Sequence, residues 1–137
     1  LTDGGTGFFR ASWSSDGRVL LIGGDDSVAR LANASGGWVR RLAGHEAEVV
    51  DSMIHPYAPL AITYAWDETM RLWNTATGEL LLVEPKEPIG FSPDGRLLAF
   101  ADGSELGVMD VLHGGAAFTL YGHVTKGPRA ISMNGTE

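Results

Sequence analysis

The feature that most constrains this chain is that it repeats itself. Asp26-Ser27-Val28-Ala29-Arg30-Leu31-Ala32-Asn33 lines up with Asp67-Glu68-Thr69-Met70-Arg71-Leu72-Trp73-Asn74 at a constant offset of 41, and the same offset carries Gly37 onto Gly78. A second register, offset 78, carries Ser14-Ser15-Asp16-Gly17-Arg18 onto Ser92-Pro93-Asp94-Gly95-Arg96 and Gly44-His45 onto Gly122-His123. Together the registers imply successive units of about 41 and 37 residues. Periods of this size belong to solenoids, propellers and related arrays, in which each unit buries its apolar face only against the next.

Inside each unit the hydrophobic period is that of strands. The first unit gives Phe8–Trp13, Val19–Gly23, Val28–Ala32 and Trp38–Leu42. The second gives Glu48–Ile54, Leu60–Tyr64, Thr69–Trp73 and Glu79–Val83, and the third Pro88–Ser92, Leu97–Ala101, Leu106–Asp110 and Ala116–Tyr121. Asp-Gly, Gly-Asp-Asp and Gly-Gly steps separate the runs and suit tight turns. Those turns account for 19 glycines in 137 residues. No stretch carries a helical stripe ended by caps. Val19-Leu20-Leu21-Ile22 and Leu97-Leu98-Ala99-Phe100 suit strands buried on both faces, whereas Trp38-Val39-Arg40-Arg41-Leu42 suits an exposed outer strand. Four antiparallel strands per unit, repeated about an axis, make β-propeller blades. The expected fold class is therefore all-β, with four-stranded antiparallel blades in a partial ring. The expected blades are 8–43, 44–84 and 85–121, with the start of a fourth at 122–137.

Composition removes several classes of function. The longest apolar runs fall far short of the ~18 residues of a membrane helix. A formal charge of −7 repels phosphate backbones. Neither a membrane nor nucleic acid is an expected partner. The absence of cysteine excludes disulfides, Cys-ligated zinc and thiol catalysis. His45-Glu46 is not a zinc-protease motif, because position 49 is Val49 rather than His. The four scattered His supply no close pair of ligands. Asp3-Gly4-Gly5 and Gly23-Gly24-Asp25-Asp26 are turn sequences without the spaced oxygen ligands of a calcium loop. No metal or cofactor is expected. The sequence begins at Leu1 rather than Met, so a signal peptide is neither seen nor excluded, and the compartment is unassigned beyond a cytoplasmic default.

The motifs resemble those of the WD-repeat β-propellers. They are Gly44-His45 and Gly122-His123 before a blade, Ser92-Pro93-Asp94-Gly95 in a first hairpin, Arg71-Leu72-Trp73-Asn74 closing a third strand and Thr77-Gly78 in the next turn. The resemblance covers nearly the whole chain, from about Phe8 to Glu137. It implies a buried structural network in the second blade, made of His45, Thr63, Asp67 and Trp73. There the carboxylate accepts from the imidazole, the imidazole bonds the Thr63 hydroxyl, and that hydroxyl accepts from the indole N–H. The other units depart from the pattern. The first keeps Asp26 but has Ile22, Ala32 and Gly4 where hydroxyl, indole and imidazole belong. The third has Met109 for the Trp, Pro85-Lys86 for the Gly-His, and a central turn one residue shorter. Both are expected to rest mainly on apolar packing. His55-Pro56 replaces Ser-Pro in the second unit's first hairpin and, with Pro59, reads as structural stiffening. Phe8 and Phe9 open the first blade, and a neighbouring blade is expected to cover at least one of them.

His45, Thr63 and Asp67 are also the parts of a nucleophilic triad, but a hydroxyl buried against an indole, with no oxyanion hole nearby, does not suit acyl transfer. No catalytic residue is assigned, and the chain is read as not an enzyme. The resemblance implies a noncatalytic protein–protein interaction scaffold that binds a protein or peptide partner through one loop face. On the second blade that face would present Glu46, Glu48, Asp51 and Trp66, an aromatic beside acidic groups that suits a basic partner segment. The bland alternative is a solvated acidic rim with Trp66 packed on a neighbouring blade. Lys126 and Arg129 at the matching positions of the fourth unit keep the acidity local. The runner-up is an accessory propeller of a multidomain enzyme, a hydrolase or kinase, or a TolB-like propeller. It rests on the stretch Phe91–Phe100, which also resembles TolB-like and peptidase-associated propellers. Three blades are fewer than the roughly four to eight of a closed ring. The expectation is a segment of a longer array, closed by further blades of the same parent chain or by a homodimer.

Overall fold

The computed structural model describes residues 7–112 and the backbone of 115–120. Its strands are β1 (Phe8–Trp13), β2 (Val19–Gly24), β3 (Val28–Asn33), β4 (Trp38–Ala43), β5 (Val49–Ile54), β6 (Leu60–Ala65), β7 (Met70–Asn74), β8 (Leu80–Glu84), β9 (Glu87–Phe91), β10 (Leu97–Asp102), β11 (Glu105–Asp110) and β12 (Gly115–Leu120). Among the described residues there is no helix. Each end of each strand lies within one residue of the bound expected from alternation and turn residues. Consecutive strands pair antiparallel in three four-stranded meanders, β1-β2-β3-β4, β5-β6-β7-β8 and β12-β11-β10-β9. The protein is all-β, built of four-stranded antiparallel sheets. Gly4, Gly122, His123, Lys126, Arg129 and the expected fourth start at 122–137 lie outside the described residues.

The repeat in the sequence is also a repeat of backbone register. The pairing of third and fourth strands shifts at Leu31/Ala32, at Leu72/Trp73 and at Val108/Met109, a bulge at the equivalent step of every sheet. Ala32, Trp73 and Met109 therefore occupy one structural position. The third central turn is the shorter one: Asp102 pairs with Glu105 across Gly103-Ser104, and Gly103 takes φ 65°. The corresponding turns of the other two sheets are wider and place Ser27 and Glu68 at φ 72° and 67°.

The chain forms two compact units, Leu1–Glu87 and Pro88–Glu137. In the first unit, two sheets share one buried cluster: Leu21, Ala29, Leu31 and Leu42 from β2, β3 and β4, with Val49, Ala61, Ala65 and Trp73 from β5, β6 and β7. Burying each large aliphatic member contributes about 1.5–3 kcal/mol. The sheets approach most closely at Gly23, where a Cβ would stand 2.3 Å from the carbonyl oxygen of Val49. Only glycine admits the β5 backbone there. Leu20 and Ile22 alternate with Leu21 and so face away from the cluster, half-buried rather than buried. That same outer side carries Phe8, which remains exposed with its ring 6.4 Å from Trp38; Phe9 is exposed as well. In the second unit Leu98, Ala99, Phe100 and Ala101 are all buried, as a central strand requires.

Candidate functional site

The link between β4 and β5 runs over the end of the second sheet. Gly44 lies flat on the side chains beneath it: a Cβ there would meet the Trp73 ring and Arg71 Nη1, both at 3.2 Å. This close passage sets His45 down into the sheet. Its ring spans the gap between Asp67, in the β6–β7 turn, and Thr63, in the middle of β6, with Nδ1 3.1 Å from Asp67 Oδ2 and Nε2 2.7 Å from Thr63 Oγ1. The Trp73 indole donates to the same hydroxyl oxygen at 2.8 Å. One proton arrangement satisfies every group. Burial pushes the His45 imidazole below its ordinary value, aided by the Arg71 charge and only opposed by Asp67, so the ring is neutral with a single N–H. That N–H sits on Nδ1 and donates to the carboxylate; Nε2 then accepts from Thr63, whose oxygen accepts from Trp73. Thr63 is 0% and Trp73 2% exposed, so neither has water to fall back on.

Asp67 holds more than the imidazole. Its Oδ2 accepts from the backbone N–H of Glu46 at 2.9 Å, while Oδ1 accepts from the Thr69 N–H at 3.0 Å and the Thr69 hydroxyl at 2.7 Å. Burial acts to raise this carboxyl, but the Glu46 N–H, both Thr69 donors and His45 outweigh it and hold the group well below the usual carboxylate range. One carboxylate thus ties the entering loop, the β6–β7 turn and the sheet core together. The polarity is that of a nucleophilic triad, hydroxyl to imidazole to carboxylate. The oxygen that would attack is wholly buried and already carries an indole N–H, so no acyl carbon can reach it.

Above this frame stand the rim residues. Trp66 is 65% exposed, and its backbone N–H donates to the Glu48 carbonyl at 2.9 Å, which fixes the turn beside the entering loop. Glu46 and Glu48 are exposed on that loop. Glu68, which sequence reasoning passed over, is exposed next to Trp66 at φ 67°. Asp51 is drawn elsewhere: it is half-buried within β5, with Oδ1 3.8 Å from Arg10 Nε on β1 and 2.9 Å from the Ser52 N–H. Glu46, Glu48 and Trp66 are thus brought together at one end of the sheet, and Asp51 is not. Among the described residues no group of three or more His, Asp or Glu side chains is gathered as for a metal ion.

The family model for the WD domain, G-beta repeat, matches residues 36–74, the segment that contains all four members of the buried network. Residues 36–74 are thus a WD repeat. It is similar to the COMPASS component SWD3 of Saccharomyces cerevisiae, 28% identical over 74 residues that cover 54% of this chain and 24% of that protein. It is also similar to the Polycomb group protein FIE1 of Oryza sativa subsp. japonica, 36% identical over 81 residues, 56% of this chain and 17% of that one. Eukaryotic translation initiation factor 3 subunit I of Aspergillus fumigatus is 31% identical over 96 residues, 66% of this chain and 28% of the relative. The chain spans less than a third of the length of each of these three relatives.

The first repeat of this chain solves the same problem with a different residue. Arg30, in the middle of β3 and 1% exposed, forks onto Asp26: Nη1 donates to Oδ1 at 3.0 Å and Nη2 to Oδ2, with Nη1 also 3.2 Å from the Val28 carbonyl. The Arg30 hydrogen bonds hold the Asp26 carboxyl below its ordinary value against a partial desolvation. Phe8 adds its ring, 5.9 Å from the guanidinium carbon. The expectation of mainly apolar packing in this repeat is incomplete, because a buried charged fork replaces the imidazole. In the second repeat the equivalent Arg71 stands 4.0 Å from Asp67, whose Oδ2 already accepts from His45 and the Glu46 N–H. The signal was in the sequence: Asp-x-x-x-Arg occurs at 26–30 and again at 67–71.

Proposed function

We propose that the chain is a noncatalytic protein-interaction module that receives a basic segment of a protein partner on the rim of Glu46, Glu48 and Trp66. The observation that carries this reading is the pairing of a largely exposed indole with a rigid base. Trp66 projects from a turn whose backbone is pinned by the Glu48 carbonyl, beside a Glu46 N–H held by Asp67, so the backbone that carries the ring has little freedom to lose on binding. Carboxylates beside an aromatic ring attract a Lys or Arg side chain through charge and through the ring face together. On this reading His45, Thr63, Asp67 and Trp73 form the frame, and residues 8–43, 44–84 and 85–121 act as successive blades. Two of the relatives are named as a component and a subunit of larger assemblies, which supports a protein partner.

The test separates the rim from the frame. Trp66→Ala is expected to weaken binding of basic peptides at least tenfold, about 1.4 kcal/mol, without moving the melting temperature. Trp73→Ala is expected to lower the melting temperature itself. Loss of peptide binding in Trp66→Ala only in proportion to lost folding would refute the proposed rim.

A further inference from the structure

The β5–β6 hairpin departs from its counterparts, and the departure builds a cleft at the end of the sheets opposite Trp66. In the first and third sheets this hairpin is closed by Ser-x-Asp-Gly-Arg. The Ser hydroxyl accepts from the N–H five residues on, at 3.0 Å for Val19 and 3.0 Å for Leu97. It also donates to the Asp Oδ1, at 2.7 Å for Asp16 and 2.6 Å for Asp94, and the same Oδ1 accepts from the Arg18 or Arg96 N–H at 3.0 Å. In the second sheet His55 stands in place of the Ser. The imidazole is buried, and its Nδ1 accepts from the N–H groups of Tyr57 and Ala58, both at 2.9 Å. The turn becomes Pro56-Tyr57-Ala58-Pro59 and places Tyr57 73% exposed, edge-on to His55 with centroids 6.0 Å apart.

The remodelled turn leans on its neighbour. Ser15 Oγ donates to the Pro56 carbonyl at 2.8 Å. Beside that bond lies an open cleft of about 180 Å³ with a mixed lining, in which Val19, Leu31 and Ile54 are apolar, Ser15 is polar, Tyr57 is aromatic and Asp16 is acidic. Both hydrogen bonds that Asp16 accepts fall on Oδ1, and the Ser14 hydroxyl and Arg18 N–H that make them keep the group ionised. Oδ2 accepts none from the described residues. The space is well below the ~300–1,000 Å³ of a cofactor pocket. It matches a single long side chain. Apolar residues beside a carboxylate are complementary to methylenes that end in a cation. A guanidinium fits better than an ammonium, because it is less strongly hydrated, stacks on a phenol ring and donates along its edge to a carboxylate.

We propose that this cleft is a second interaction site, which takes an arginine side chain presented by a protein partner, with its guanidinium on Asp16 and across Tyr57. The site is independent of the Trp66 rim and stands or falls separately. The full chain is titrated with N-acetyl-arginine methylamide and followed by heteronuclear NMR, with N-acetyl-citrulline methylamide as the uncharged isostere. Saturating shifts are expected at the Asp16, Tyr57 and Ala58 amides with the arginine compound and not with the citrulline compound. Asp16→Asn keeps the Oδ1 acceptor that closes its hairpin and removes the charge, so about tenfold weaker binding is expected. Tyr57→Ala is expected to weaken binding similarly, while Tyr57→Phe, which keeps the ring and the turn, and Trp66→Ala bind as the parent does. Whatever happens at Trp66 and Glu46, the absence of saturating shifts at Asp16, Tyr57 and Ala58, an equal response there to citrulline, or unchanged affinity at the cleft in Asp16→Asn would each overturn the proposal.

Discussion

Thr63→Val is the sharpest probe of the buried network, since it exchanges a hydroxyl for a methyl group of nearly the same shape. The Thr63 oxygen accepts from the Trp73 indole at 2.8 Å and its proton goes to His45 Nε2 at 2.7 Å. Removing it strands an indole N–H on a residue 2% exposed and a ring nitrogen on a side chain 0% exposed. The imidazole cannot recover by exchanging tautomers, because its N–H is held by Asp67. An unsatisfied buried group costs about 1–3 kcal/mol. Two coupled groups with a little apolar compensation give roughly 2–4 kcal/mol. The assay is denaturant unfolding of the full chain, with a shift in midpoint at constant slope. Thr63→Ser is expected to retain most of the stability. Adding Trp73→Phe to Thr63→Val removes the stranded donor, so the double mutant is expected to be more stable than the sum of the singles by about 1 kcal/mol or more. A Thr63→Val cost below about 0.5 kcal/mol, or strict additivity with Trp73→Phe, would refute the reasoning.

Two further outcomes follow from the Asp positions. His45 and Asp67 both have folded-state values below their unfolded ones. The unfolded chain therefore binds more protons in acid, and stability falls as pH drops below about 6.5, where the unfolded imidazole titrates, and again below about 4 for the carboxyl. Melting temperatures measured from pH 8 downward show this loss; a curve that is flat or rises between pH 7 and 5 would sink the neutral-imidazole assignment, and His45→Gln is expected to erase the upper window. Arg30→Met is expected to cost about 1–3 kcal/mol, discounted from the usual buried-pair figure because the Asp26 side chain is 33% exposed. Arg71→Met is expected to cost less, since Asp67 keeps its other donors; equal costs in thermal melts would show that the two arginines have been assigned the wrong roles.

Strand bounds were legible because alternation, apolar runs and turn residues all act within a few positions of one another. What escaped the sequence depends on elements far apart in the chain. An Arg in a strand reads as solvent-facing, and Arg30 is buried only because Asp26 and Phe8 come from a turn and another strand to meet it. Asp51 reads as a rim acid, yet the register of β5 against β6 shifts between Val49 and Asp51, and the bulge re-aims the carboxylate toward Arg10. Glu68 carries no signal of its own in the sequence, and only its left-handed backbone sets it beside Trp66. His55 was legible as structural but not as the residue that rebuilds the hairpin, because two backbone donors converge on its ring only once the turn has formed.

The three repeats also show that the central turn and its buried partner are one device. In the first and second repeats the turn places Ser27 and Glu68 at positive φ, which disfavours each by about 1–2 kcal/mol. What offsets this is the preceding Asp, which accepts from the N–H two residues on, at 3.3 Å for Val28 and 3.0 Å for Thr69. A carboxylate committed to a turn and partly desolvated needs a buried donor, and each repeat that keeps the Asp supplies one, Arg30 in the first and His45 in the second. In the third repeat the turn is a residue shorter, Asp102 and Glu105 pair directly, and the positive φ passes to Gly103, where it carries no such penalty. Loss of the imidazole, loss of the carboxylate and shortening of the turn are therefore coupled changes. Restoring the wide turn in the third repeat without also supplying a buried donor for its carboxylate is expected to destabilise the sheet rather than regularise it.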